Sequence, residues 1–194
     1  VLMKFSYWSE GVGPVVALLL AGGTVAAVVS LTRRVGQTRR AVAHVDEVEY
    51  RPESRVLRVA MTLQSEWPGH QAGQFAFVTF DRHEGPHPFT MSSAWQGDGK
   101  LLFLIKALGD YTNALPQTVK AGDMAQVEGP YGRFSFKGPH RRQIWVAGGI
   151  GITPFIARLQ ALCEQPDSKA IDLFYSTSSP DAGFIQRLRQ RAEQ

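Results

Sequence analysis

His87-Pro88-Phe89-Thr90-Met91-Ser92-Ser93 is the stretch on which the reading of this chain turns. It is apolar at its centre and closed by hydroxyls, and a flexible acidic and glycine-bearing segment, Asp81 to Gly85, leads into it. Phe89 offers a flat ring, and Thr90, Ser92 and Ser93 offer three small hydroxyls along a few residues of extended backbone. Those groups suit a planar heteroaromatic ring with carbonyl and nitrogen edges. An ordinary strand start in a β-barrel would carry the same residues, so the neighbouring segments have to decide.

Upstream, Gly11 to Leu31 contains no charged residue over 21 positions. A helix of that length crosses a hydrocarbon core of roughly 30 Å. Arg33, Arg34, Arg39 and Arg40 follow at once and equal the whole formal net charge of +4. The basic balance therefore points to a membrane face and excludes nucleic acid as the partner. The charges follow the apolar run instead of preceding it, which argues against a secretory signal. A transmembrane helix with the C-terminal bulk on the cytoplasmic side is expected, with Tyr7 and Trp8 suited to the interface. The single cysteine, Cys163, rules out an internal disulfide and fits a reducing compartment.

Downstream of the arginines, the apolar residues Leu57, Val59, Met61 and Leu63 alternate with Arg58, Ala60 and Thr62. That is the signature of a strand with one buried face. Weaker strand signals run over Ala43 to Tyr50, Phe75 to Phe80, the opening stretch and Met124 to Glu128, and Leu101 to Lys106 reads as a fully apolar strand. Leu108 to Val119 reads as a short helix or lid, and Gly129-Pro130-Tyr131-Gly132 as the stop of the sixth strand. Six short strands separated by turn signals predict a small antiparallel barrel.

The pattern then changes. Ile144 to Ala147 is a short apolar strand, followed by Gly148-Gly149-Ile150-Gly151-Ile152-Thr153-Pro154 and a helical run from Phe155 to Glu164. Ala170 to Tyr175 and Ala182 to Arg191 repeat the strand–helix order, which starts a parallel α/β sheet. Glycines let a ligand approach the backbone, and helix-start amides attract phosphate. Thr153 is expected to cap the helix and Pro154 to take its first position. Because Pro154 replaces the third glycine, the G-x-G-x-x-G fingerprint does not apply as written. Since doubly wound sheets usually carry five or six strands, the α/β part reads as incomplete and the chain as a piece of a longer one. The expected divisions are 1–41 for the spanning helix and basic segment, 42–139 for the barrel, and 140–194 for the α/β start.

Together these motifs resemble the ferredoxin–NADP reductase-like superfamily, most closely its membrane ferric reductase and NADPH oxidase branch. The resemblance covers about residues 12 to 194 and rests on five motifs in order. These are Gly73-Gln74-Phe75, the His87–Ser93 stretch, Lys106-Ala107-Leu108-Gly109-Asp110-Tyr111-Thr112, Gly129-Pro130-Tyr131-Gly132 and Gly148–Pro154. It implies an FAD-binding barrel followed by an NAD(P)-binding α/β domain. Hydride transfer from NADH or NADPH to FAD would follow, then single-electron steps into haems of an upstream membrane domain of the same longer chain.

Residue by residue, the resemblance implies that His87, Pro88, Phe89, Thr90, Met91 and Ser92 hold the flavin, with Thr90 at its reactive ring edge and Ser93 adding a hydrogen bond. Lys106 and Thr112 would anchor the flavin pyrophosphate, and Gly129 and Tyr131 would lie beside both ligands. Gly148, Gly149, Gly151 and Thr153 would bind the phosphates of the nicotinamide dinucleotide. Many NADPH users place an arginine near Ser178, where this chain has only hydroxyls, while Arg187 and Arg189 follow on the next helix. NADH and NADPH both stay open. No metal site is expected within the chain. Besides the membrane enzyme, two other readings stand: a non-catalytic membrane-anchored docking module, and a flavin reductase serving an iron–sulfur partner.

Overall fold

The computed structural model describes residues 12–32 and 39–193. The lead-in, with Tyr7 and Trp8, and the arginines Arg33 and Arg34 lie outside the described residues. The chain divides into two units, residues 1–37 and residues 38–194. The first contains α1 (Val12–Thr32), a 21-residue helix. Leu18, Leu19, Leu20 and Val25 on it are each more than 60% exposed. At 1.5 Å per residue its length is about 30 Å.

The second unit begins with a six-stranded antiparallel sheet. Its strands are β1 (Arg40–Arg51), β2 (Val56–Leu63), β3 (Phe75–Thr79), β4 (His87–Thr90), β5 (Lys100–Lys106) and β6 (Met124–Tyr131). A helix, α2 (Asp110–Thr118), sits between β5 and β6. The strand order is β4-β3-β6-β1-β2-β5. The expected alternation in β2 is borne out: Leu57, Val59, Met61 and Leu63 are buried and the residues between them are not. β5, apolar throughout its centre, buries one face more deeply than the other. Leu101, Phe103 and Ile105 point into the barrel core, whereas Leu102 and Leu104 are half-exposed on the other face. β6 departs from expectation, running through Gly129 and Pro130 to Tyr131 instead of stopping before them.

The two edges of this sheet, β4 and β5, meet through a bridge between Met91 and Phe103, so the sheet closes on itself. The Ser92 amide donates to the Leu102 carbonyl at 2.7 Å. In return, the Leu102 amide donates to Ser93 Oγ at 3.2 Å and the Leu104 amide to Ser92 Oγ at 3.3 Å. Backbone amides at a sheet edge need acceptors. Here two serine hydroxyls act as those acceptors and seam the barrel shut.

Below the seam lies His70, whose Nε2 donates to the Ser93 carbonyl at 2.9 Å. Burial holds this imidazole below its ordinary value of 6.5, and the hydrogen bond to Ser93 opposes the shift only in part. In the unfolded chain His70 takes up a proton near 6.5, whereas in the fold it does so only at lower pH. Stability therefore falls as pH drops through the interval between those two values and is fully present above it. His70→Gln, which keeps a donor for Ser93 but does not titrate, is expected to remove that part of the acid dependence of Tm. A parallel decline in variant and parent would show that His70 does not contribute to it.

The second layer is β7 (Arg142–Gly148), a 3-10 turn over Gly149–Ile152, α3 (Thr153–Glu164), β8 (Ala170–Ser176) and α4 (Ala182–Ala192). β7 and β8 pair in parallel, as the strand–helix repetition predicts. Trp145, Phe155, Ile156, Leu159 and Leu188 form their core, with Leu104 of the barrel packed against it. Phe136, in the segment joining the two layers, meets Trp145 at 4.9 Å and Phe155 at 5.6 Å between ring centroids. The Gln143 side chain donates to the Phe136 carbonyl at 2.8 Å. This aromatic joint sets the barrel against the α/β layer.

Candidate functional site

A cavity of about 340 Å³ opens between the outward face of β2 and β5 and the β7–β8 layer. Its barrel wall includes Leu102, Leu104 and Lys106, and its other wall includes Gly149 and Tyr175. The local sequence builds both walls. The strand period turns Leu102, Leu104 and Lys106 away from the barrel core. At Gly149 the backbone takes φ +50, a left-handed conformation that glycine adopts without penalty. A Cβ added there would lie 4.0 Å from Lys106 Nζ. Two motifs separated by more than forty residues thus meet at one point, a cation facing a bare backbone turn.

The expected site residues separate into three groups. Lys106 and Gly149 come together in the cavity; Gly148 ends β7 beside it and Gly151 lies exposed in the following turn. His87, Pro88, Phe89 and Thr90 form β4, the strand whose continuation is bonded to β5, and do not line the cavity. His87 stacks on Tyr111 with ring centroids 3.8 Å apart and an interplanar angle of 14°. Its Nε2 is buried and has no hydrogen-bond partner among the described residues. Phe89 and Thr90 are both partly exposed.

The residues of the third group are engaged by the fold itself. Met91 is fully buried in the barrel core, where its side chain packs with other core residues. Ser92 is equally buried and its hydroxyl is committed to the Leu104 amide and the Thr90 carbonyl. The Thr112 hydroxyl accepts from the amides of Leu108 and Gly109 at 2.9 and 3.0 Å and donates to the Gly109 carbonyl. It therefore closes the start of α2, where orphan helix amides need an acceptor. Gly129 is buried, and a Cβ there would lie 3.3 Å from Ala76 and from the Phe75 carbonyl, so its lack of a side chain serves strand packing.

Tyr131 also lies outside the cavity. Its hydroxyl donates to Glu128 at 2.8 Å, its ring packs near Phe75 and Phe77, and Arg39 sits over it at 5.3 Å. Thr153 is a buried first-turn residue of α3 with helical φ and ψ. The cap position falls on Ile152, and no side chain caps the helix.

Several cavity residues had no sequence signal of their own. Arg51 ends β1, Ser54 lies in the turn that follows it, and Asp181 caps α4 through the Phe184 amide at 2.9 Å. Arg51 Nη1 reaches Asp181 Oδ2 at 3.3 Å, tying the barrel to the start of α4 across the cavity mouth. The Asp181 carboxyl is held below the usual carboxylate range, first by the Phe184 amide and then by Arg51 and Arg187. Among the described residues no group of three or more histidine, cysteine or carboxylate side chains is arranged to hold a metal.

The chemistry of these residues fits an FAD. The glycine turn leaves open the space a Cβ would fill beside Lys106, and His87 presents a buried ring nitrogen without a partner. A closed antiparallel barrel is thus set with a cation against the glycine turn of a parallel strand–helix unit.

Comparison with known proteins shows what the chain is similar to. Residues 40–135 match the family model described as FAD-binding domain. Among curated relatives, the propane 2-monooxygenase reductase component of Rhodococcus jostii (strain RHA1) is 26% identical over 115 residues, 58% of this chain and 31% of that protein. The toluate 1,2-dioxygenase electron transfer component of Pseudomonas putida is 31% identical over 108 residues, 55% of this chain and 32% of that one. The chain thus spans about a third of the length of these relatives.

Among solved structures, the fold is shared with the flavohem-like FAD/NAD binding domain of nitric oxide dioxygenase from Vibrio cholerae O1 biovar El Tor. That match has a TM-score of 0.68 and 21% identity, and covers 79% of this chain and 70% of that one. It is shared also with phthalate dioxygenase reductase, at a TM-score of 0.66 and 18% identity, over 77% of this chain and 48% of that one.

Proposed function

We propose that this chain is the electron-accepting part of an NAD(P)H-dependent, FAD-containing reductase that passes electrons to an iron–sulfur or haem partner protein. The observation that carries the reading is the meeting of Lys106 with the Gly149 turn in one cavity between the barrel and the α/β layer. Lys106 supplies a compact cation, and the turn supplies backbone without side chains, which together receive the phosphates of a dinucleotide. His87, Phe89 and Thr90 present a ring nitrogen, a flat face and a hydroxyl along β4 for the flavin ring. Leu102 and Leu104 add an apolar strip to the barrel wall of the cavity, alongside Arg58 and Lys106. Bound FAD supplies the redox chemistry, taking electrons in pairs and releasing them singly.

Partner choice follows the matched relatives, whose names describe reductase and electron transfer components of oxygenases. They favour a flavin reductase serving an iron–sulfur partner over a membrane ferric reductase. The test is direct: full-length protein is purified and examined for flavin absorbance and for NADH or NADPH oxidation with ferricyanide as acceptor. Protein that carries no flavin, takes up none when FAD is added, and oxidises neither nucleotide would refute the reading and leave the docking module in its place.

The β4 assignment has its own test. Phe89→Ala combined with Thr90→Val removes the flat face and the hydroxyl from two partly exposed positions. The dissociation constant for FAD is expected to rise about ten-fold, and flavin content to fall with it, since a lost aromatic contact and a lost hydrogen bond together remove on the order of 1.5 kcal/mol. Unfolding temperature is expected to change little. Undiminished flavin would make β4 purely structural.

A second reading rests on α1, whose apolar residues are almost all exposed and which has the length of a membrane span. In it, the same reductase core sits on the cytoplasmic side of a membrane and passes electrons to haems in an upstream membrane domain of the same longer chain. Cells expressing the full-length protein would then hold it in a carbonate-resistant membrane fraction together with haem. Recovery of all the protein in the soluble fraction would exclude the second reading and leave the first untouched.

A further inference from the structure

Beyond the general reading as an NAD(P)H-dependent reductase, on which this inference rests, the charge in the cavity separates the two nicotinamide dinucleotides. Five cationic side chains line it, Arg51, Arg58, Lys106, Arg187 and Arg191, against the single acid Asp181. Arg58 is paired with Glu47 at 2.6 Å, and Arg51 with Glu49 at 3.0 Å and with Asp181. Lys106, Arg187 and Arg191 make no ion pair within 4 Å among the described residues. Lys106 belongs to the Gly149 end. Arg187 and Arg191 stand one turn apart on α4, on either side of the buried Leu188, beside Thr177 and Ser179 after β8. Their spacing of four residues puts both on one helix face, and Arg189, two positions along, turns away from it. Arg189 does not line the cavity.

Selection of NADH in a sheet of this kind uses a carboxylate that accepts from the ribose hydroxyl, whereas a nearby arginine accommodates a 2′-phosphate. Asp181 is the carboxylate in reach, and each of its oxygens already accepts one hydrogen bond. Oδ1 accepts from the Phe184 amide at 2.9 Å, and Oδ2 from Arg51 at 3.3 Å. Arg51 comes from the barrel, so the acid is occupied from one side by its own helix and from the other by the partner layer. The position near Ser178 where an arginine is expected in NADPH users is exposed and outside the cavity, and the positive charge comes instead from α4.

We infer that this chain selects the 2′-phosphorylated dinucleotide, NADPH, through Arg187 and Arg191 on α4, while the Arg51–Asp181 pair removes the carboxylate that would select NADH. Each arginine is placed to make charge-assisted hydrogen bonds to a phosphomonoester that NADH lacks.

The test is calorimetric titration of the full-length protein with adenosine 2′,5′-bisphosphate and with adenosine 5′-monophosphate, alongside NADPH and NADH oxidation. The 2′-phosphorylated nucleotide is expected to bind about ten-fold or more tightly than its counterpart, as one to two charge-assisted contacts imply. The double variant Arg187→Ala, Arg191→Ala should bring the two within about three-fold, chiefly by weakening the bisphosphate, and Arg189→Ala should leave the ratio unchanged. Equal binding of the two nucleotides by the parent protein would overturn the inference. So would a ratio that survives the double variant, or one that Arg189→Ala lowers as much. In each of these cases continued NADH or NADPH oxidation leaves the reductase reading standing. Failure to bind or oxidise any of the four nucleotides refutes that reading and the inference with it.

Discussion

Lys106→Glu is expected to cut the affinity for a phosphate-bearing dinucleotide about 30- to 100-fold. Lys106 ends β5, and its ammonium faces the Gly149 turn with 4.0 Å of space where a Cβ would be. A hydrogen bond to a charged group contributes about 1.5–3 kcal/mol, and a reversed charge adds repulsion toward a phosphate. Two to three kcal/mol corresponds to the stated range at 1.4 kcal/mol per factor of ten. The fold should survive, because the backbone of Lys106 pairs with Val56 whatever its side chain. The measurement is flavin content after gel filtration and the dissociation constant for NADPH, with circular dichroism as the control. Lys106→Arg keeps the charge and is expected to lose much less. Flavin content and nucleotide affinity both unchanged in Lys106→Glu would remove the cation from the site.

Gly73→Ala is expected to cost about 2–4 kcal/mol of stability, the largest single-residue effect on the fold argued for this chain. Gly73 has φ +100, where an L side chain is strained whatever the surroundings. In addition, the new Cβ would lie 2.6 Å from the Phe134 carbonyl oxygen and 2.7 Å from Phe134 Cδ1. The first contact is with backbone, which cannot swing aside as a side-chain tip can. Phe134 in turn packs edge-on against Phe136 and Phe155, so the displacement passes into the joint between the layers. For a domain of this size the loss corresponds to a fall in Tm of roughly 5–15 °C. Gly85→Ala isolates the clash: it too has a positive φ, +77, but nothing lies within 4 Å of its Cβ position. It should lose only the backbone part, about 1–2 kcal/mol. Equal losses in the two variants would show that Phe134 yields freely.

Much of the architecture was legible before any coordinates. The alternation at Leu57, Val59, Met61 and Leu63 is a local property of an edge-to-core strand, and the structure repeats it residue for residue. The change to strand–turn–helix after Ile144 was equally local, and β7 and β8 pair in parallel as that order requires. The helix α1 coincides within a residue with the uncharged run.

The chemistry of the opening stretch was less legible. Thr90, Ser92 and Ser93 look alike as hydroxyls in the sequence. Only the closure of the barrel shows that two of them accept from β5 amides and are spent on the seam. Met91 and Phe89 are likewise both apolar, but the first is wholly buried and the second is not. Thr112 and Tyr131 suit ligand contacts by chemistry, and the structure engages them with the start of α2 and with Glu128.

The sequence by itself therefore determined the elements, their order, the two layers and the presence of a flavin-type stretch, a cation and a phosphate-type turn. Those are properties of neighbouring residues, governed by side-chain period, backbone permissiveness and turn chemistry. Tertiary structure alone decided that Lys106 meets Gly149, that Arg51 occupies Asp181, that Arg187 and Arg191 but not Arg189 line the cavity, and that the serines close the barrel. Each of these is a pairing across the fold or the facing of a helix. The physical reason is common to them: a hydroxyl, carboxylate or guanidinium satisfies whichever partner packing brings within hydrogen-bond reach. That partner here lies 9 to 130 positions away in the chain.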